Sequence, residues 1–129
     1  MAIEEKLEGG YNIYPEQAAA GLWTTPSDLA RFMINVGNSY RNNNGILQQS
    51  YVQLMFTKIP GGYGSGFGIT GEENTLRFSH FGSNVGYFCF ASSFVNVGRG
   101  IVIMTNSDNG FQLIQEITRA VYKEYKWVR

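Results

Sequence analysis

The pattern of apolar and polar residues from 76 to 106 predicts three β-strands, of which the first alternates between the two kinds of residue. The first strand covers residues 76–80, the second is a long aromatic strand at 85–95, and the third is an apolar, β-branched run at 101–105. His80 is then the last residue of the first strand. Upstream, Phe67 and Ile69 alternate with glycine, which predicts a further short strand that turns at residues 71–74.

Helical periodicity precedes these strands. Thr25 is a suitable N-cap and Pro26 suits the first helical position, so a helix is predicted to begin here and to stop at Gly37. Residues 38–45 are predicted to be a polar loop. Four apolar residues form the predicted core face of this helix: Leu29, Phe32, Met33 and Val36.

Two further helices are predicted from capping signals. Ser50 with Gln53 resembles a capping box for a short helix that ends near residue 55. Asn109 with Gln112 is a similar pair, at the start of a closing helix that reaches about residue 126. The closing helix has an apolar face made by Leu113, Ile114, Ile117, Ala120 and Val121.

The order of these elements predicts the fold class. Helices, then hairpin-connected strands, then a helix are typical of an α+β fold with an antiparallel sheet of about three to five strands packed against helices. The 129 residues fit a single unit, 1–129, without repeat or linker. Residues 1–10 are polar and end in glycines, which we interpret as a cut end rather than a helix or strand.

Composition narrows the function classes. Ten basic and ten acidic residues balance, and no basic cluster indicates a nucleic acid or an anionic membrane as partner. No apolar run approaches the length of about 20 residues that a membrane span needs, and residues 1–10 do not resemble a signal peptide, so the compartment is undecided. The single cysteine, Cys89, is predicted to be a small core residue.

His80, the only histidine, is the first candidate for chemistry, because imidazole exchanges protons near neutral pH. A structural role and a catalytic or substrate-binding role both remain open for it. Ser83 follows where a backbone N–H could act as an oxyanion donor. With no second histidine, cysteine pair or spaced carboxylates, we predict no metal site.

Glycines at 66, 68 and 71 match the dinucleotide spacing G-x-G-x-x-G. No helical pattern follows them, and the βαβ unit that this motif requires is incomplete. We therefore predict no nucleotide and no other cofactor.

His-Phe-Gly at residues 80–82, with the segment SNVGYFCFASSFVNVGRGIVIMTNSDNG after it, resembles the third motif of the serine β-lactamase and penicillin-binding-protein family. The similar branch contains class C β-lactamases, D-amino-acid peptidases and related esterases, in which Lys-Thr-Gly is often His-x-Gly. The blocks YPEQAAAGLWTTPSDLARFM, ILQQSYVQLMF and GYGSGFGI, and the final helix, also resemble the family in order and spacing. The resemblance starts at about residue 11 and implies a partial β-lactamase-like fold.

The resemblance also implies residue roles. His80 would hold a substrate carboxylate or support the proton network around a nucleophile, and Gly82 would let substrate lie against the strand. The backbone N–H of Ser83 would form half of an oxyanion hole, with its side chain and Asn84 at the mouth of the cleft. The implied activity is hydrolysis of β-lactams, D-amino-acid peptides or esters through an acyl-enzyme.

Two motifs of the family are missing. No serine has a lysine three residues later, and Tyr40-Arg41-Asn42, although it spells Tyr-x-Asn, lies too close to His80 and is interpreted as coincidence. We expect the carboxy-terminal part of a longer, usually exported hydrolase, inactive alone and self-associating through an exposed sheet edge. The alternative is a stand-alone, non-catalytic module that binds a ligand or partner chain around His80, Tyr63 and Tyr87.

Overall fold

The computed structural model, which describes residues 15–127, contains four helices and one four-stranded antiparallel sheet. The helices are α1 (Gln17–Ala20), α2 (Pro26–Asn42), α3 (Gln49–Met55) and α4 (Gly110–Glu124). The strands are β1 (Gly68–Thr70), β2 (Arg77–Asn84), β3 (Tyr87–Phe94) and β4 (Arg99–Thr105), and a 3-10 turn at Glu73–Thr75 joins β1 to β2. The predicted α+β fold, with its antiparallel sheet and C-terminal helix, is confirmed.

The sheet has the simple order β1-β2-β3-β4, in which each strand pairs with the next along the chain. β2 and β3 pair over their whole length, but β1 pairs only with residues 77–79 of β2. Among residues 15–127, residues 80–84 of β2 therefore have a strand on one side only, and β4 is the edge strand at the other side of the sheet. The backbone N–H and C=O groups that point away from a single partner strand are free to pair with another chain.

The main core lies between one face of the sheet and helices α2 and α3. Phe78 of β2 is fully buried at its centre, and its ring lies 4.9 Å from that of Phe56 and 5.0 Å from that of Phe67, measured between centroids. Val36 of α2 and Val52 of α3 are also fully buried. These contacts hold α2 and α3 on this face, and α4 packs on the opposite one.

Helix α2 continues five residues beyond Gly37, so the predicted stop there and the predicted loop at 38–45 are wrong. An interior glycine costs a helix only about 1 kcal/mol, and burial of Val36 and Ser39 around it offsets that cost. The Ser39 hydroxyl is also satisfied, since it donates to the Asn35 carbonyl oxygen over 2.9 Å. Asn43, with φ 50°, ends the helix in the left-handed conformation.

The capping predictions had different outcomes. Thr25 is confirmed as the N-cap of α2, because its Oγ1 accepts a 3.1 Å hydrogen bond from the N–H of Asp28. The capping box at Ser50 is wrong, since α3 begins at Gln49 and that N–H donates to Oδ1 of Asn43 over 2.9 Å. Tertiary contact between two segments replaces the local cap there.

At the start of α4, Asn109 is the N-cap residue, but its side chain makes no capping hydrogen bond. The helix ends at Glu124, two residues before the predicted end. Ile114 and Tyr122 are its buried side chains besides Gly110, whereas Leu113 and Ala120 of the predicted face are exposed. None of the helices in residues 15–127 is long and apolar enough to cross a membrane.

His80 lies in the middle of β2 rather than at its end, which corrects the predicted strand boundary. Pairing with β3 extends β2 to Asn84, where a two-residue turn reverses the chain. Gly86 supplies the positive φ of 78° that this turn requires. Phe81, Gly82 and Ser83 are therefore strand residues.

Candidate functional site

A cavity of about 530 Å³ opens on the α2 side of the sheet, and all four predicted site residues line it: His80, Gly82, Ser83 and Asn84. This volume is within the range of small-molecule sites, roughly 300 to 1,000 Å³. The structure therefore brings together residues that the sequence placed in one short segment. What surrounds them comes from distant parts of the chain.

The register of the β2–β3 hairpin explains the floor of the cavity. His80 lies opposite Ala91, and Gly82 lies opposite Cys89. Since side chains alternate along a strand, these residues share one face of the sheet with Asn84. Ser83 has the opposite parity on β2 and also lines the cavity.

The opposite wall comes from α2 and from the segment before it. Leu22 and Thr24 precede the helix, and Leu29, Phe32 and Met33 belong to it. Phe32, predicted as core, is 41% exposed because it borders the cavity instead of filling the interior. Nothing in the local pattern of residues 22–33 distinguishes a cavity wall from a core face, so the sequence reasoning missed this role.

A second cavity of about 400 Å³ continues from the first and shares Leu22, Asn84 and Tyr87 with it. Trp23 borders this extension, and its ring meets that of Tyr87 edge to face at a centroid distance of 6.0 Å. An aromatic pair with one exposed partner can receive a further ring or an apolar group. The extension therefore suits a bulky apolar part of a ligand.

The 530 Å³ cavity has no Asp, Glu, Lys or Arg among its lining residues in the described part of the chain. His80 is exposed, and no residue from 15 to 127 forms a hydrogen bond with its imidazole. Its ring nitrogens are thus available to a ligand, and in the protonated form they would attract a carboxylate. Gly82 leaves space beside it, because an added Cβ would meet only the Cβ of Cys89, at 3.9 Å.

Cys89 is partly exposed and lines the cavity, so its predicted place in the core is wrong. The cause is again the register, which sets Cys89 beside the small Gly82 rather than beneath a helix. Tyr87 lines the cavity as the alternative reading expected, but Tyr63 does not. Tyr63 instead forms a single β-bridge with Gly68.

The remaining sequence candidates have structural roles. Arg41 of the Tyr-x-Asn triplet donates to the Val95 carbonyl oxygen and, over 2.6 Å, to Oδ1 of Asn38, which ties the end of α2 to the sheet. Two glycines of the G-x-G-x-x-G match have structural roles. Gly68 is the first residue of β1. Gly71 has a φ of 70°, and a Cβ added there would lie 2.2 Å from the Thr75 carbonyl oxygen. Within residues 15–127, no group of three His, Cys, Asp or Glu side chains could hold a metal ion.

Comparison of the chain with protein-family models, with curated proteins and with solved structures gave no match.

Proposed function

We propose that this chain is the carboxy-terminal part of a serine hydrolase of the β-lactamase and penicillin-binding-protein type, acting on β-lactams, D-amino-acid peptides or esters. One observation carries the proposal. The residues of the His-Phe-Gly segment that would contact substrate, His80 and Gly82 with Ser83 and Asn84 after them, line a single cavity of ligand size. A histidine with a purely structural role does not require neighbours that line a cavity of ligand size.

The roles follow from the chemistry of each group. The His80 imidazole, which has no protein partner in the described residues, binds the substrate carboxylate or takes part in proton transfer. The backbone N–H of Ser83 stabilises the developing oxyanion, and Asn84 offers an amide to the substrate. The apolar wall from α2 excludes water from the bound acyl group.

The free edge of β2 supports a substrate that lies extended along the strand. Residues 80–84 have β3 on one side, and no strand of the described part of the chain lies on the other. An extended peptide-like ligand can add to such an edge through backbone hydrogen bonds, with side-chain contacts giving specificity. Peptidic and β-lactam substrates both present amide groups that suit this mode of binding.

The nucleophile is not in this sequence, because no serine is followed by lysine at the required spacing. We therefore expect no covalent adduct when the 129-residue chain is treated with a fluorophosphonate or a penicillin and its intact mass is measured. A stable adduct on this chain would overturn the proposed division of the active site.

The decisive experiment is to sequence the gene upstream of the codon for Ile3. A Ser-x-x-Lys and a Tyr-x-Asn in the same open frame are expected, and their absence would contradict the proposal. In the longer protein, His80→Ala should slow acylation by about tenfold or more, the loss typical of a displaced acid–base or binding group. Ser79→Ala, on the same strand with opposite parity, is the matched control and should leave the rate unchanged.

A stand-alone binding module is the second candidate, favoured by the apolar walls of the two adjoining cavities. This candidate predicts a native start codon at Met1 and reversible ligand or partner binding without acylation. The upstream sequence therefore separates the two functions.

We also infer that the chain self-associates through β4. This edge strand carries the apolar run 101–104, and Ile34 of α2, 58% exposed, lies along the groove beside it. Two copies of β4 paired antiparallel would place Arg99 of each copy near the Asp108 end of the other, which is electrostatically favourable. An apolar edge without internal charge favours such pairing.

A further inference from the structure

The face of the sheet opposite His80 carries a second cleft, between α4 and strands β2 and β3, with a volume of about 460 Å³. We call it the α4 cleft; its lining includes Arg77, Phe81, Phe111, Thr118, Arg119 and Tyr122. His80, Gly82, Ser83 and Asn84 do not line it. The function proposed above gives this cleft no role.

One end of the α4 cleft is basic. Arg77 donates from Nε to Thr70 Oγ1 over 3.1 Å and from Nη1 to the Tyr122 hydroxyl over 2.8 Å, so neutral partners fix its guanidinium. Arg119 lies one helical turn before Tyr122 and lines the same cleft. Within residues 15–127, no carboxylate forms an ion pair with either arginine. The remaining N–H groups of Arg77 are therefore available to an anion.

Two hydroxyl groups add to this end. The Tyr122 oxygen accepts from Arg77, which leaves its own proton free to be donated. The Thr118 Oγ1 is buried and has no hydrogen-bond partner within the described residues. A buried hydroxyl without a partner is costly, and rotation of the Thr118 side chain toward the cleft would let a bound polar group satisfy it.

The other end of the α4 cleft is aromatic and open. Phe81 is 41% exposed and Phe111 is 46% exposed, and their rings meet edge to face with centroids 5.8 Å apart. Exposed aromatic rings of this kind offer a large apolar surface to a further ring.

On each wall of the cleft, the arginine and the phenylalanine are separated by a similar length of backbone. Arg77 and Phe81 are four residues apart on β2, or about 13 Å. Arg119 and Phe111 are eight residues apart on α4, or about 12 Å. These are backbone separations, and both walls carry the cation and the aromatic ring in the same order along the cleft. A ligand with an acidic group at one end and a ring system at the other suits this order.

We propose that the α4 cleft binds a small aromatic anion. Its acidic group contacts the two arginines, and its rings lie against Phe81 and Phe111. Charge complementarity selects the anion, because the lining residues between 15 and 127 include two arginines and no carboxylate. The aromatic end selects the ring system over a short aliphatic acid.

Binding of 2-naphthoate to the 129-residue chain tests the proposal, with amide and arginine Nε–H shifts followed by two-dimensional NMR. The shifts should include the Nε–H of Arg77 and the amide of Thr118. The neutral analogue 2-naphthylmethanol should bind about tenfold more weakly, the equivalent of one lost charge-assisted hydrogen bond. Butanoate, which has the acidic group without rings, should also bind about tenfold more weakly.

Arg119→Gln should weaken 2-naphthoate binding by about tenfold, whereas Lys123→Gln should leave it within about twofold. Lys123 is the matched control, because it is exposed on the same helix and does not line the cleft. A dispersed spectrum of each variant establishes that it is folded. The proposal is overturned if the acid and the alcohol bind equally, if the two variants behave alike, or if 2-naphthoate causes no shifts at its solubility limit.

Discussion

The backbone N–H of Gly86 donates a 2.7 Å hydrogen bond to Oδ1 of Asp108. Gly86 lies in the turn between β2 and β3, whereas Asp108 lies in the loop that leads from β4 into α4. The bond therefore ties the tip of the hairpin that carries Asn84 and Tyr87 to the opposite edge of the sheet. Both of those residues line the cavity, so this contact helps to fix its outer end.

Asp108→Ala should lower the free energy of unfolding by about 1 kcal/mol, because the Gly86 N–H then loses its protein acceptor at an exposed site. Asp108→Asn keeps an acceptor oxygen of the same shape and should cost less. Urea denaturation followed by circular dichroism measures both. Equal stability of the alanine variant and the parent chain would show that this bond does not hold the hairpin.

Substitution of two nearby glycines should have different effects on stability. Gly86→Ala should cost about 1 to 2 kcal/mol, since its φ of 78° is unfavourable for a residue with a Cβ. Gly82→Ala should remain within about 0.5 kcal/mol of the parent chain, because its added Cβ meets nothing closer than 3.9 Å. If Gly82 lets substrate approach the strand, Gly82→Ala in the longer protein should slow acylation without loss of stability. Thermal unfolding and acylation kinetics together test this separation, and a large loss of stability would contradict it.

Phe78→Ala should destabilise the fold by about 3 to 5 kcal/mol, because it empties the centre of the core between Phe56 and Phe67. Ile59→Ala is a suitable control, since Ile59 is 59% exposed. Its effect should stay within about 0.5 kcal/mol. Chemical denaturation distinguishes the two, and similar losses would mean that the core does not centre on Phe78.

Ile34→Glu should weaken self-association, because it places a charge in the groove beside the β4 edge. Ile59→Glu introduces the same change at a site of equal exposure that does not line this groove. Sedimentation velocity over a range of concentrations should show dimers for the parent chain and for Ile59→Glu, but mainly monomers for Ile34→Glu. Monomers in all three samples would refute the inferred dimer.

Much of the architecture was readable in the sequence because it depends on local periodicity. Alternation at 76–80, the aromatic segment at 85–95 and the apolar β-branched run at 101–105 identified the three longer strands. Thr25 and Pro26 identified the start of α2, since they satisfy the free N–H groups and the backbone geometry of a first turn. These signals act within a few residues and need no knowledge of the fold.

The same local rules failed where distant residues decided the outcome. Gly37 was expected to end α2, but burial of Val36 and Ser39 against the rest of the core carries the helix onward. His80 was expected to end a strand, but pairing with β3 extends β2 to Asn84. In both cases the interaction energy comes from residues far away in the sequence, which local propensity does not contain.

Local sequence and tertiary structure also contribute different parts of the candidate site. His80, Gly82, Ser83 and Asn84 could be named as candidate site residues without a structure, because they follow one another within one short segment. Only the tertiary structure decided that they line a cavity, since its opposite wall comes from residues 22–33, some fifty positions earlier. The basic and aromatic ends of the α4 cleft likewise meet only when α4 packs across β2. Side-chain identity is local, whereas enclosure depends on which distant surfaces the fold brings into contact.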